Sequence, residues 1–306
     1  MSWNKYFFFA LFSVVIFHQG FAQNTVDNFL KPSDSLNISR RNTVVISETA
    51  LAATALVGLN QLWYKDYPRS DFHFINDNSD WLQMDKAGHV FSSYQLGNIG
   101  KNTLQWSGVG RKKQLLYGAT AGFVFLSAVE IFDGYSAEWG ASSGDVLANA
   151  TGTALFVSQE LIWKEQRIIP KFSFHSTRYA SVRPEVLGNS VDEQILKDYN
   201  GQTYWLSANM HAFFKTSKIP TWLNLAIGYG AEGMINGHNE PLSNSSLPNY
   251  DRYRQYYLSF DVDLTKIKTK SHVLKTLFSL FNTIKVPAPT VVYTQNNQLK
   301  WHFVYF

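Results

Sequence analysis

Hydrophobic periodicity changes near residue 165, and that change constrains the fold more than any other feature of the chain. Before it, apolar residues fill long runs that read as helices. After it, they alternate with period two and read as strands. The expected fold class is therefore α+β: an N-terminal four-helix, membrane-type bundle followed by an antiparallel sheet of four or five strands with two short helices. The helices are expected over residues 43–64, 84–106, 111–132 and 143–165. Ser142 and Ser143 are natural caps for the last of them. The first is apolar nearly all round, and Glu48 is its one charge. Helices two to four carry Gly88, Gly97, Gly100, Gly118, Gly122 and Gly152, small residues that let helix backbones approach closely. Residues 65–82, with Pro68 and an Asn/Asp cluster, read as a structured elbow.

The strands are expected over 203–214, 222–235, 255–264 and 299–306, with a further one at 169–173. Leu223, Leu225, Ile227 and Tyr229 share one face. Tyr256, Leu258 and Phe260 share another, as do Leu299, Trp301, Phe303 and Tyr305. Strands of about ten residues with one greasy, aromatic-edged face suit an outer-membrane wall. Four or five are too few to close a barrel, so the sheet is expected to lean on the helices or on the membrane. The short helices are expected at 191–199, ending at Asn200-Gly201, and after Ser271, ending at Pro287 and Pro289. The second carries an amphipathic stripe suited to a membrane interface or to a core.

Composition agrees with a chain that meets something other than water. Charged residues are 16% of 306, where roughly 25% is usual, and aromatic residues are also 16%. Such a chain is too apolar for disorder. With no Cys it holds no disulfide, no thiolate zinc site and no thiol nucleophile. Residues 1–22 read as a signal peptide: Lys5, an apolar core over 7–17, then Gly20-Phe21-Ala22 with cleavage after Ala22. The alternative is an uncleaved anchor. The remainder divides into a helical unit, 23–165, and a β-rich region, 166–306, packed on the helices or the membrane. The expected location is the cell envelope, at the outer membrane or its periplasmic face, with a multi-pass inner-membrane protein as the alternative.

The scarce charges of the helical half fall on shared faces. No acidic residue lies between Lys86 and Glu130. Asp85 and His89 are four apart on one helix, and Ser93 continues their face. Glu130 closes the third helix, followed by Asp133-Gly134. Asp145 and Asn149 are four apart on the fourth. Carboxylates in an apolar seam cost several kcal/mol per ion unless paired. Three explanations remain open. His89 acts as general base or acid with Glu130 and Asp145 as its catalytic partners, and Asp85, Lys86, Ser93, Asp133 and Asn149 bind substrate. Alternatively, Glu130, Asp133, Asp145 and His89 hold a hard divalent cation. Or the groups form a hydrogen-bonded network that fixes helix register. No metal ligand or cofactor is assigned, with a divalent cation left as the minor option.

The run Asp85-Lys86-Ala87-Gly88-His89-Val90-Phe91-Ser92-Ser93-Tyr94 resembles the DK-x-x-H-F-x-x-Y pattern of VanZ-like membrane proteins. Glu130, Ser143-Gly144-Asp145 and Asn149-Ala150-Thr151-Gly152 resemble their E…S-x-x-D-x-x-x-N-x-x-G tail. Over about 43–165, with Glu130 to Gly134 matching Glu-x-x-Asp-Gly, the chain is similar to the uncharacterised YfiM-type predicted periplasmic lipoproteins. The stretches 199–207 and 228–233 look like those of longer members. The resemblance implies an envelope location and no particular reaction. It departs in lacking a lipobox Cys.

Gly228-Tyr229-Gly230-Ala231-Glu232-Gly233 spells G-x-G-x-x-G, but strand pattern continues through it and no helix follows, so no nucleotide is expected. The pI near 9.0 comes without a basic patch interleaved with aromatics, so no nucleic acid is expected either. There is no G-x-S-x-G elbow. The expected partner is membrane lipid. The expected role is structural or assembly-related in the envelope. The alternative is an enzyme or binding protein for an envelope lipid or lipid-linked glycan that uses the His/Glu/Asp seam.

Overall fold

The computed structural model describes residues 25–65, 67–238 and 247–306. The expected signal peptide and residues 239–246 lie outside them. The helical half comprises α1 (Ile38–Leu59), α2 (Met84–Trp106), α3 (Ala121–Gly134) and α4 (Ser143–Ile162). A π-turn, Asn60–Tyr64, continues α1, and a second, Gln114–Gly118, leads into α3. Asn37 caps α1 by accepting from the Arg40 amide, which starts that helix earlier than its hydrophobic pattern alone indicates. Helices α2, α3 and α4 make the close-packed unit. Helix α1 lies alongside, with Val44 as its one buried residue, packed on Leu104 and Val109. Three helices rather than four thus form the core of this half.

Backbone proximity explains the glycines. A Cβ on Gly118 would lie 2.5 Å from the Gly100 carbonyl oxygen, and one on Gly97 the same distance from that of Ala119. On α4, Gly152 meets the Val90 carbonyl and the Ser93 hydroxyl. Each of the three glycines meets a backbone carbonyl, which cannot yield as a flexible side chain could.

Six strands form one antiparallel sheet in the order of the chain: β3 (Ile168–Phe174), β4 (Gln202–Asn209), β5 (Leu223–Glu232), β6 (Tyr253–Val262), β7 (Ala288–Thr294) and β8 (Leu299–Tyr305). Two two-residue strands, β1 (Phe74–Ile75) and β2 (Ala141–Ser142), pair in parallel and tie the elbow to the start of α4. Strand β7 was unexpected, because Pro287 and Pro289 read only as helix stops. Strand β4 ends earlier than its alternation suggests, because Asn209 caps a short helical turn, α8 (Met210–Phe213). The connections hold three more short helices, α5 (Arg178–Val182), α6 (Pro184–Leu187) and α7 (Val191–Lys197), besides α9 (His272–Phe281).

The sheet is polar inside and apolar outside. Ser207, Asn209, Asn224, Gln255, Ser259, Asp261 and Thr290 are buried. Leu206, Ile227, Tyr256, Leu258, Phe260 and Trp301 are exposed. The sheet curls enough for opposite strands to meet across its interior. Lys171 on β3 pairs with Asp261 on β6 at 2.8 Å, both fully buried, and Thr203 on β4 approaches the Tyr305 hydroxyl on β8 at 3.4 Å. Tyr305 belongs to this interior rather than to the greasy face of Trp301 and Phe303. A register shift between Ala288 and Thr290 turns it inward. The free edge of β3 is satisfied by Gln95, which donates to the Pro170 carbonyl at 2.6 Å, and by Thr283 and Lys285, which bond Phe172.

The helical surface is apolar as well. Two stretches, Ile38–Leu59 and Arg111–Gly134, are long and apolar enough to cross a membrane, and only 6% and 22% of their apolar windows are buried. Val45, Ile46, Leu51 and Val57 on α1 are exposed, as are Leu274, Leu277, Leu280 and Phe281 along α9. Each such side chain left in water forgoes about 1.5–3 kcal/mol of burial.

Candidate functional site

Three helix ends and the elbow converge at one end of the bundle. The N-terminus of α2 brings Asp85, Lys86 and His89. The C-terminal turn of α3 brings Glu130 and Asp133, and the N-terminus of α4 brings Asp145 and Asn149. Ser142 organises the junction. Its hydroxyl accepts from the Asp145 amide at 3.2 Å as the α4 cap and donates to Asp77 of the elbow at 2.5 Å, while its own amide donates to Glu130 at 3.0 Å. The β1–β2 bridge holds the elbow in reach, and Gly144 gives Asn78 room to pack against the start of α4.

Lys86 sits at the centre of one cluster. Its Nζ lies 2.6 Å from Asp77, 2.8 Å from Asp145 and 3.3 Å from Asp85. His89 sits at the centre of the other. Its Nδ1 donates to the Asn149 carbonyl oxygen at 2.9 Å. Its Nε2 faces Asp85 Oδ1 at 3.7 Å, Glu130 Oε1 at 3.8 Å and Asp145 Oδ1 at 3.9 Å. Tyrosines hold two of the carboxylates from outside: Tyr199 donates to Asp85 at 2.8 Å and Tyr64 to Asp133 at 2.6 Å. Glu130 and Asp145 are almost wholly buried, whereas Asp85, at 23% side-chain exposure, and His89, at 16%, leave the cluster reachable from solvent.

Five carboxylates, those of Asp77, Asp85, Glu130, Asp133 and Asp145, thus face one lysine and one histidine. The electrostatics follow. Burial opposes charge on Lys86, but Asp85, Asp145 and Asp77 outweigh it and hold the ammonium above the ordinary lysine range. Burial likewise raises Asp77, but hydrogen bonds from Lys86 and Ser142 win and hold it below the ordinary carboxylate range. At Asp145 burial, reinforced by Asp85, prevails and pushes the carboxyl up to about 8. Burial works against protonation of His89, and the carboxylates of Asp85, Asp145 and Glu130 reverse it, so its titration moves upward.

His89, Glu130, Asp145, Asp85, Lys86, Asp133 and Asn149 all come together here as the shared helix faces imply. Ser93 does not. It lies one turn deeper, fully buried, with its hydroxyl on the Val90 carbonyl at 3.2 Å, and it serves the crossing with Gly152. Asp77, Ser142, Tyr64 and Tyr199 join the site without having been singled out. Asp77 stands in an Asn/Asp-rich loop whose approach depends on a two-residue bridge. Tyr199 stands among the residues that look like longer family members.

This is a mixed α+β chain with a histidine–carboxylate centre at one end of its helical unit. Within it, residues 71–159 match the family model described as "Predicted periplasmic lipoprotein (DUF2279)". The match supports a place among uncharacterised exported envelope proteins, and it contains every helical and elbow member of the centre from Asp77 to Asn149. No curated protein and no solved structure matches the chain.

Proposed function

We propose that the chain is a membrane-embedded protein of the outer membrane whose histidine–carboxylate centre acts on the polar part of an envelope lipid or lipid-linked glycan. One observation carries the chemistry: an excess of carboxylates gathered from four segments around a histidine whose Nδ1 is fixed by Asn149. A network that only fixed helix register would pair its charges. The glycine crossings of α2, α3 and α4 already set that register. A fixed imidazole with its second nitrogen directed at the centre is the arrangement a general acid or base needs.

The membrane part of the reading rests on the outward apolar faces of α1, α9 and the sheet. A sheet with polar interior and apolar exterior is the pattern of outer-membrane walls. At the opposite end of the helices, a cleft of about 700 Å³ is lined by Arg41, Arg111, Lys112 and Lys113 above Leu36, Val45 and Leu104, a combination suited to an anionic lipid headgroup and its chain. The VanZ-like pattern of 85–94 fits the same reading.

His89→Ala, Glu130→Gln and Asp145→Asn are expected to fold, judged by protease resistance in detergent, and to fail to restore envelope integrity in a deletion strain. Folded variants that complement fully would overturn the reading. Because the chain has no Cys, Phe260→Cys labelled with a fluorophore tests the membrane contact. Brominated lipid should quench it, and quenching confined to aqueous iodide would remove the membrane assignment.

A further inference from the structure

We infer that His89 Nε2, Asp85 Oδ1 and Asp145 Oδ1 form a binding site for one divalent cation of the Mn²⁺ or Zn²⁺ class, with Asn149 as a positioning residue. The inference deepens the proposed function of the same centre and rests on it.

The geometry around His89 leads there. Asn149 Oδ1 can only accept, so His89 Nδ1 carries the proton and Nε2 is directed at three carboxylate oxygens at 3.7, 3.8 and 3.9 Å. A charge-assisted hydrogen bond to any of them would be about 2.7–2.9 Å long. Ligands around a four-coordinate ion with bonds of ~2.1 Å stand roughly 3.4 Å apart, a few tenths of an ångström closer than these nitrogen–oxygen distances. The ligand atoms of Asp85, His89 and Asp145 already lie within 4.8 Å of one another. They come from α2 and α4, so the set is held by separate rigid elements rather than by one flexible loop.

A second observation is independent of the acidic groups. Asn149 is fully buried, and among the described residues its Nδ2 has no hydrogen-bond partner. That amide holds the imidazole through its oxygen, and its buried nitrogen is a donor that lacks an acceptor among the described residues. A water or substrate oxygen bound to a cation supplies one. Asp145 Oδ1 is buried and lies 2.8 Å from the Lys86 ammonium, so it joins the lysine and histidine clusters. An imidazole that ligates through one nitrogen and donates the other N–H to a carbonyl is the usual outer-shell arrangement of metal-bound histidine.

The ligand set narrows the ion. One imidazole with carboxylates suits Mn²⁺ and Zn²⁺ better than Ca²⁺, which takes six to eight oxygens. The charge also narrows the substrate. Without a cation the centre repels a phosphate-bearing headgroup, and with one it attracts it. A cation here therefore favours a phosphorylated lipid or phosphate-linked glycan over an uncharged sugar.

The test uses the full chain in detergent, stripped with chelator and titrated with Mn²⁺ alone, with bound ion read by electron paramagnetic resonance and competed by Zn²⁺. One Mn²⁺ per chain is expected. His89→Gln and Asp145→Asn should each abolish binding, Asn149→Ala should weaken it by about 10–100-fold, and Ser93→Ala should leave it unchanged. Circular dichroism of each variant verifies the fold, and the wild-type stoichiometry decides the matter even if a variant fails to fold. No stoichiometric binding by wild type, or wild-type binding by folded His89→Gln and Asp145→Asn, overturns the inference. Absence of Mn²⁺ binding together with lost complementation by His89→Ala removes the metal and leaves the acid–base centre. Binding with full complementation by the variants does the reverse.

Discussion

Replacing Lys86 by Met tests whether the centre is an electrostatic unit or a set of incidental contacts. The ammonium touches Asp77 at 2.6 Å, Asp145 at 2.8 Å and Asp85 at 3.3 Å, and the side chain is only 14% exposed. Among the described residues Asp77 has no other cation in reach, and the next for Asp145 is His89 at 3.9 Å. Met keeps the stem's length and packing but leaves the Asp77 carboxylate without its cation. Removing one member of a buried pair costs about 3–5 kcal/mol, mostly from the charge left behind. Lys86→Met is expected to lose that much in chelator near neutral pH, by chemical unfolding in detergent micelles followed through the fluorescence of the nine Trp. Lys86→Met combined with Asp77→Asn removes cation and anion together. It should lose less than the two single variants added, by about 1–3 kcal/mol. A Lys86→Met cost below about 1 kcal/mol, or strict additivity in the double variant, would refute the reasoning.

Two further perturbations probe the frame around the site. Gly118→Val places a branched side chain where even a Cβ meets the Gly100 carbonyl at 2.5 Å, so it should cost at least about 1–3 kcal/mol and open α2–α3 to limited proteolysis. Wild-type resistance would mean that the helices cross elsewhere. Lys285 is fully buried, with Nζ on the Val286 carbonyl at 2.7 Å and over the Trp205 ring, and burial pushes it down to about 8. Its folded value lies below that of the unfolded chain, about 10.4. The charging penalty is therefore fully present below about pH 8 and disappears as pH rises to about 10.4. Relative to Lys285→Met, the wild type should gain about 3 kcal/mol across that window. Parallel stability curves for the two proteins would show that the lysine is not desolvated.

Legibility in the sequence followed how locally each feature is determined. Helices α2 and α4 lie close to where their uncharged runs and serine cap put them, since periodicity and capping act within one element. The i,i+4 pairs Asp85/His89 and Asp145/Asn149 identified the centre because helix geometry alone puts them on one face. Features that depend on partners far along the chain were not visible. Strand β7 forms through pairing with β6 despite Pro287 and Pro289. Tyr305 turns inward only because the β7–β8 register shifts. Ser93 shares a helical face with His89, yet Gly152 packs close enough to bury it in the crossing instead. Asp77 and Tyr199 reach the site through a parallel bridge and through the turn that precedes α2.

That turn shows why the strand half belongs to the site. Trp81, Leu82 and Gln83 are consecutive non-glycine residues in the left-handed region, with φ of 48°, 50° and 64°. Each costs roughly 1–2 kcal/mol relative to ordinary helical backbone. The sheet half supplies what holds them. The Trp81 amide donates to the Gly237 carbonyl at 2.9 Å, the Tyr229 hydroxyl to the Leu82 carbonyl, and Arg254 to the Gln83 side chain at 2.6 Å, while Trp81 packs on Tyr199. Tyr199 in turn bonds Asp85. The turn aims the first residues of α2, and it persists only while β5, β6 and the segment before β4 grip it. A helical fragment covering 71–159 contains the histidine and its helical carboxylates. It lacks the groups that fix Asp85, so it is expected to lose the left-handed turn and, with it, the spacing of three oxygens around His89 Nε2.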